Sequence, residues 1–174
     1  MTSVSAVRPL AASLLAAIVF LAFSLVSAAS LPDPADKPIL TVTGKISVTN
    51  KDGAAQFDRA MLEALGETSF STSTPWYDGP RKFEGVPLAK LLDAVGASGD
   101  HIIATALNDY STDIPVEDAR KFGVILALKR DGGYMPVSDK GPIFIVYPFD
   151  SNPELKAQVY YKRSAWQVAR IEVK

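Results

Sequence analysis

Three stretches gather side chains able to bind or react. Residues 70–80 read FSTSTPWYDGP: hydroxyl residues from Ser71 to Thr74 run into Pro75, Trp76, Tyr77 and the pair Asp78-Gly79. Aromatic faces and an acceptor carboxylate on a loop leaving a strand suit a planar ligand with hydrogen-bonding edges. Taken singly, the same residues read as aromatics capping a core and an ordinary turn. Residues 106–119, ALNDYSTDIPVEDA, bring Asn108, Asp109 and Tyr110 out of an apolar run, followed by Ser111, Thr112 and Asp113. A polar turn closed by an Asx hydrogen bond explains them equally well. In YYKRSAWQ, residues 160–167, Arg163 follows Tyr160, Tyr161 and Lys162 into the last strand. It reads as a stacked, phosphate-facing or carboxylate-facing guanidinium, or as a solvated strand end. Lys140, in SDKGP, also sits in a turn.

Other chemistries find little support. His101 is the single histidine and lies beside a Gly-Asp turn, so a catalytic triad or a zinc site would have to be built on one surface-type residue. There is no cysteine, which removes thiolate catalysis, thiolate metal ligation and a disulfide framework together. GASG follows a helix instead of opening one, so it is a connector and not a phosphate cradle. No catalytic or metal-ligating set is expected. No Lys/Arg cluster exceeds two residues, which argues against nucleic acid as a partner.

The N-terminus reads as an export signal. Arg8 precedes an apolar run from about Leu10 to Val26, and the small residues Ser27, Ala28, Ala29 and Ser30 follow. That order predicts a cleaved signal peptide over residues 1–29 and a periplasmic mature protein. The run is close to bilayer-spanning length, so an uncleaved anchor is the alternative. The remaining chain, about 145 residues, suffices for one domain with a core. Its net charge becomes −2 once Arg8 is removed from a total of −1.

The elements that must position these residues are short. Residues 30–38 carry three prolines and read as an extended lead-in to a domain spanning 39–174. ILTVTGKISVTN predicts one half-buried strand or two. In FDRAMLEALG, Asp58 can cap a helix, Phe57 can staple onto Leu62 and Gly66 stands at the exit. Residues 67–74 predict a strand. In VPLAKLLDAVG, Pro87 opens a helix with Leu88, Leu91, Leu92 and Val95 on one face. HIIATALN is a buried strand, VEDARKFG one or two helical turns, and VILALKRDGGYMPV a hairpin about Asp131-Gly132. GPIFIVYPF and SAWQVARIEV predict the last strands. The outcome is an α+β domain, mainly β, on an antiparallel or mixed sheet with short helices.

Taken in order, TPWYDGPRKFEGVPLAKLLDAVGA, ALNDYSTDIPVEDA, VILALKRDGGYMPVSDKGPIFIVYPF and SAWQVARI resemble the molybdopterin-binding domain of the sulfite oxidase family over residues 40–173. The resemblance implies that fold and a pterin ligand. It also exposes a departure. In the enzymes a cysteine thiolate ends the strand matching residues 68–74 and ligates molybdenum, whereas this chain has Thr72, Ser73 and Thr74 there. A neutral hydroxyl replaces a soft thiolate poorly. Small exported members of the superfamily look like molybdenum-free pterin binders, some of which regulate a membrane-anchored cyclic-di-GMP synthase or phosphodiesterase. The resemblance therefore implies a non-catalytic periplasmic sensor. It would bind a reduced or oxidised pterin without molybdenum and act on the periplasmic domain of a membrane partner with diguanylate cyclase or phosphodiesterase activity. In that reading Asp78 pairs with the pterin's amino and ring N–H edge while Trp76 stacks on its face. Asn108, Tyr110 and Arg163 meet the remaining polar atoms, and Thr74, Lys140 and Tyr161 complete the pterin-binding set. The rival readings are a molybdopterin-dependent oxidoreductase with a non-cysteine ligand and a ligand-free interaction domain.

Overall fold

A computed structural model describes residues 30–174, so the signal-peptide reading of residues 1–29 lies outside the described residues. No helix among the described residues is long and apolar enough to cross a membrane. The chain runs β1 (Leu40–Gly44), β2 (Ala55–Phe57), α1 (Arg59–Ala64), β3 (Thr68–Thr74), β4 (Tyr77–Pro87), α2 (Leu88–Ala94), β5 (His101–Ala106) and β6 (Ser111–Pro115). It continues with α3 (Val116–Phe122), β7 (Ile125–Arg130), β8 (Gly133–Tyr134), β9 (Phe144–Val146), α4 (Gln158–Arg163) and β10 (Val168–Val173). This is α+β and mainly β, as the residue pattern implies.

The strands form two sheets. One has the order β2-β1-β10-β5-β6 and is mixed, because β1 and β10 pair in parallel while the other neighbours are antiparallel. The other has β3-β4-β7-β8, with β9 also paired to β7, and is antiparallel throughout. β7 and β9 are covered on both faces, which explains their unbroken apolar runs. Leu126, Leu128, Ile143, Ile145 and Tyr147 join the main core with Leu88, Leu91 and Leu92 of α2. The alternate residues Ile125, Ala127, Phe144 and Val146 join a second core with Phe83 and Met135. Trp76 packs against both.

Local chemistry accounts for the joints. Asp58 is 1 % exposed and accepts from the Met61 amide at 2.8 Å, capping α1 as expected. Its second oxygen accepts from the Ala35 and Asp36 amides, clamping the lead-in to that helix, and these hydrogen bonds hold its carboxyl below the usual range. Asp131 and Gly132 take φ of 51° and 85° between the paired Arg130 and Gly133, the two positive values a primed hairpin turn requires. Residues 45–50 form bends and not a second regular strand. Pro87 stands at the cap of α2 with ψ 127°, just before its first turn.

The β3–β4 hairpin differs in a way that matters. Thr74 pairs with Tyr77, leaving a two-residue turn of Pro75 and Trp76. Proline cannot adopt positive φ, so the primed turns that match strand twist are barred. The register instead shifts between Thr72 and Thr74, where three β4 residues, Asp78, Gly79 and Pro80, bulge opposite the single β3 residue Ser73. Its freed N–H donates to Asp150 Oδ2 at 2.6 Å.

Candidate functional site

A cavity of about 360 Å³ opens where three segments meet: the β3–β4 turn, the turn after β5, and the chain from α4 into β10. Trp76 comes from the first, Ala106, Asn108 and Tyr110 from the second, and Tyr161, Lys162, Ser164, Ala165 and Trp166 from the third. Trp76 is the hub. Its ring meets Trp166 at 5.5 Å and 71°, Tyr161 at 6.2 Å and 84°, and Phe144 at 5.5 Å and 74°. These edge-to-face contacts satisfy the ring quadrupoles and set the indoles as two walls of a corner. A bridge between Phe144 and Trp166 fixes the second indole against β9.

The polar lining is sparse. Asn108 Oδ1 accepts from the Tyr110 amide at 3.2 Å, and the intervening Asp109 takes φ 62°, so the Asx turn does form. The Asn108 Nδ2 group has no partner among the described residues. The Tyr110 hydroxyl donates to the Lys162 carbonyl at 3.3 Å and closes the turn over α4. Lys162 is exposed and makes no ion pair among the described residues. Ser164 is buried and donates back to the Tyr160 carbonyl at 2.9 Å. No carboxylate lines the cavity.

Of the residues singled out by sequence, Trp76, Asn108, Tyr110 and Tyr161 come together here. Of the other four, Asp78, Thr74 and Arg163 are placed elsewhere, and Lys140 lies against the aromatic walls without lining the cavity. Asp78 is exposed on β4 and absent from the lining, because the two-residue turn ends before it. Thr74 lies below the turn, its hydroxyl oxygen 3.4 Å from the Trp76 amide. Arg163 turns away: its Nη1 donates to Asp118 Oδ2 at 2.8 Å, and the buried Tyr147 hydroxyl donates to the same oxygen at 2.7 Å. Tyr160 to Arg163 form the helix α4 and not a strand lead, and Asp118 anchors that helix to α3. Lys140 lies on two of the rings that line the cavity, its Nζ 4.0 Å from the Trp166 centroid and 5.7 Å from that of Trp76, and 5.6 Å from the neighbouring Tyr77 ring outside the lining. Burial lowers its amine pKa, and no carboxylate pairs with it among the described residues. The adjacent Asp139 is held by Arg130 at 2.6 Å and by the Tyr77 hydroxyl at 2.9 Å. Burial first, and Asp139 second, push that hydroxyl up to about 12.

Trp166, Lys162, Ser164 and Ala165 are the lining residues that sequence reasoning did not select. Their signal was present in SAWQ, but a tryptophan entering an apolar strand reads as core. Nothing in the sequence brings Trp166 to Trp76 across a separation of 90 positions.

The segment from Thr72 to Thr74 has other employment. Thr72 is fully buried, and its hydroxyl oxygen accepts from the Asp150 amide at 3.0 Å while Asp150 accepts from Ser73. A hydrogen bond from the Lys156 ammonium, together with the Ser73 amide, brings the Asp150 carboxyl down to about 2. Among the described residues no group of three His, Cys, Asp or Glu could hold a metal.

The comparisons agree with this architecture. The family model described as oxidoreductase molybdopterin binding domain matches residues 55–150. No curated protein matches the chain. The crystal structure of the sulfane dehydrogenase SoxCD from Paracoccus pantotrophus superposes with a TM-score of 0.57 at 16 % identity, over 77 % of this chain and 37 % of that one. The likeness shows the sulfite oxidase-type fold, and this chain spans little more than a third of that protein's length. With more than half of its residues matched by one family model, the chain belongs to the oxidoreductase molybdopterin binding domain family.

Proposed function

We propose that this protein is an exported pterin-binding module that holds no molybdenum and acts through a protein partner. The observation that carries the reading is the cavity itself, with two indoles, two tyrosines, one carboxamide and one amine, and neither thiolate nor carboxylate. Its volume of about 360 Å³ suits a bicyclic heterocycle. The family's cofactor has two parts, and the residues treat them differently. The pterin fits: its flat face suits the indole corner, and a carboxamide offers both a donor and an acceptor to its amide edge. The metal does not fit. The chain has no cysteine, and the Thr72 oxygen at the equivalent strand is already a hydrogen-bond acceptor inside the core.

The regulatory limb follows from the family resemblance and from the export-type N-terminus. The pterin-loaded form would bind the periplasmic domain of a membrane-anchored cyclic-di-GMP enzyme with an affinity different from that of the empty form. Only such a difference can move the partner's equilibrium.

Calorimetry with pterin, dihydropterin and tetrahydrobiopterin tests the ligand claim. Asn108→Ala and Trp166→Ala should each weaken binding by about tenfold or more, the loss expected when a buried polar edge or a stacking face goes unmatched. Asp78→Ala should leave affinity unchanged, because Asp78 is outside the lining. Wild-type affinity in both Asn108→Ala and Trp166→Ala would remove the cavity from consideration.

A further inference from the structure

A second depression, of about 500 Å³, lies over the starts of the parallel strands β1 and β10. Its apolar lining includes Pro38, Ile39, Leu107, Val137, Pro142 and Ala169. Leu107 is 53 % exposed and Val137 51 %, two large apolar side chains facing solvent in one concave place. Scattered exposed apolar residues are ordinary, but convergence in a groove marks a contact surface. The charged members are Lys37 and Arg170, with no carboxylate in the lining. Lys37 makes no ion pair among the described residues. Arg170 pairs at 2.6 Å with Asp109, whose side chain is 81 % exposed, a solvent-screened contact that an incoming carboxylate can replace.

We propose that this groove docks an extended apolar segment of a protein partner that carries Asp or Glu beside its anchoring side chain. Charge complementarity selects this occupant. A second copy is disfavoured, since an isologous contact would turn the Lys37 and Arg170 rims toward their own copies. An anionic membrane is disfavoured too, because surface binding calls for a cluster of about four to eight cations, and this chain carries net charge −1.

The groove shares its walls with the aromatic cavity. Leu107 sits between Ala106 and Asn108, both cavity residues, and its N–H donates to the Gln167 carbonyl at 2.9 Å. Gln167 also donates through its own N–H to the Lys140 carbonyl at 3.0 Å and through Nε2 to the Val137 carbonyl at 2.6 Å. It takes φ 54°, a left-handed conformation that a non-glycine residue keeps only when its surroundings hold it there. Trp166 of the cavity precedes it, and Ala169 and Arg170 of the groove follow. A ligand against Trp166 and Asn108 would therefore touch residues directly bonded to those that shape the groove. This inference rests on the reading of the chain as a module acting through a protein partner.

Random decapeptides displayed against the purified chain, followed by fluorescence anisotropy of the enriched sequences, test it without a pterin. Enriched peptides should pair Leu, Ile or Val with a nearby Asp or Glu. Leu107→Asp and Lys37→Glu should each weaken their binding at least tenfold, with circular dichroism unchanged and, for Lys37→Glu, tetrahydrobiopterin binding unchanged. Enrichment lacking that pattern, or variants that bind as wild type does, overturns the proposal. So does self-association, or adsorption to phosphatidylglycerol vesicles, that Leu107→Asp abolishes. Peptide binding that survives a failure of tetrahydrobiopterin to bind supports the groove and counts against the cavity reading alone.

Discussion

Replacing Asp118 by asparagine probes how α4, and with it one wall of the cavity, is held. Asp118 is 6 % exposed, and its Oδ2 accepts from Tyr147 at 2.7 Å and from Arg163 at 2.8 Å. Asparagine keeps the shape and one acceptor oxygen. It makes the Tyr147 hydrogen bond a neutral one and leaves that of Arg163 charged on the donor side only, losing about 1 kcal/mol each. It also leaves the Arg163 guanidinium, 22 % exposed, without its counter-ion, which adds up to about 1 kcal/mol after allowance for solvent. The expected total of about 2–3 kcal/mol corresponds to a fall in Tm of roughly 6–10 °C for a domain of this size. Because Tyr161 and Lys162 ride on the same helix, pterin affinity should fall as well. Urea unfolding of Asp118→Asn, Arg163→Met and the double variant completes the cycle. The double variant should be more stable than the sum of the single changes by about 1 kcal/mol, since a methionine in place of Arg163 leaves no stranded cation. Additive effects, or an Asp118→Asn variant within about 0.5 kcal/mol of wild type, would show that this oxygen does not anchor α4.

Asp58→Ala removes a helix cap and the clamp on Ala35 and Asp36 at once, so it should cost about 2 kcal/mol in urea unfolding and expose the lead-in to protease. Asp150 has its folded carboxyl pKa lowered from 3.8 to about 2, so its contribution is complete above the unfolded value and disappears as pH falls through the folded one. The urea midpoint of wild type should therefore drop more steeply than that of Asp150→Asn between about pH 4 and pH 2. The difference should be about 1 kcal/mol, because the side chain is 34 % exposed and its pair with Lys156 is screened.

Where a local interaction decided the structure, the residues were readable. Asp58 caps α1, α2 buries Leu88, Leu91 and Leu92, and Asp131-Gly132 makes the hairpin turn, each through a rule spanning four or five positions. The two-sheet arrangement was not readable, since the parallel β1–β10 pair joins residues about 130 positions apart and leaves no local trace. The same limit governed the site. Trp76, Asn108, Tyr110 and Tyr161 stood out by type. The partners that decide who faces the cavity, Asp118 for Arg163 and Phe144 for Trp166, come from distant segments. Asp78 looked like a ligand because it follows Trp76 in sequence. Pro75 ends the hairpin turn at Trp76, so Asp78 sits exposed on β4.

The proposed function turns on a pterin held without its metal. The direct test is to purify the protein from a cell that makes molybdenum cofactor, then divide one sample between elemental analysis and mass spectrometry of its extracted small molecules. A pterin near one per chain, with no stoichiometric molybdenum, is expected. About one molybdenum per chain, or an extract with no pterin at all, would refute it.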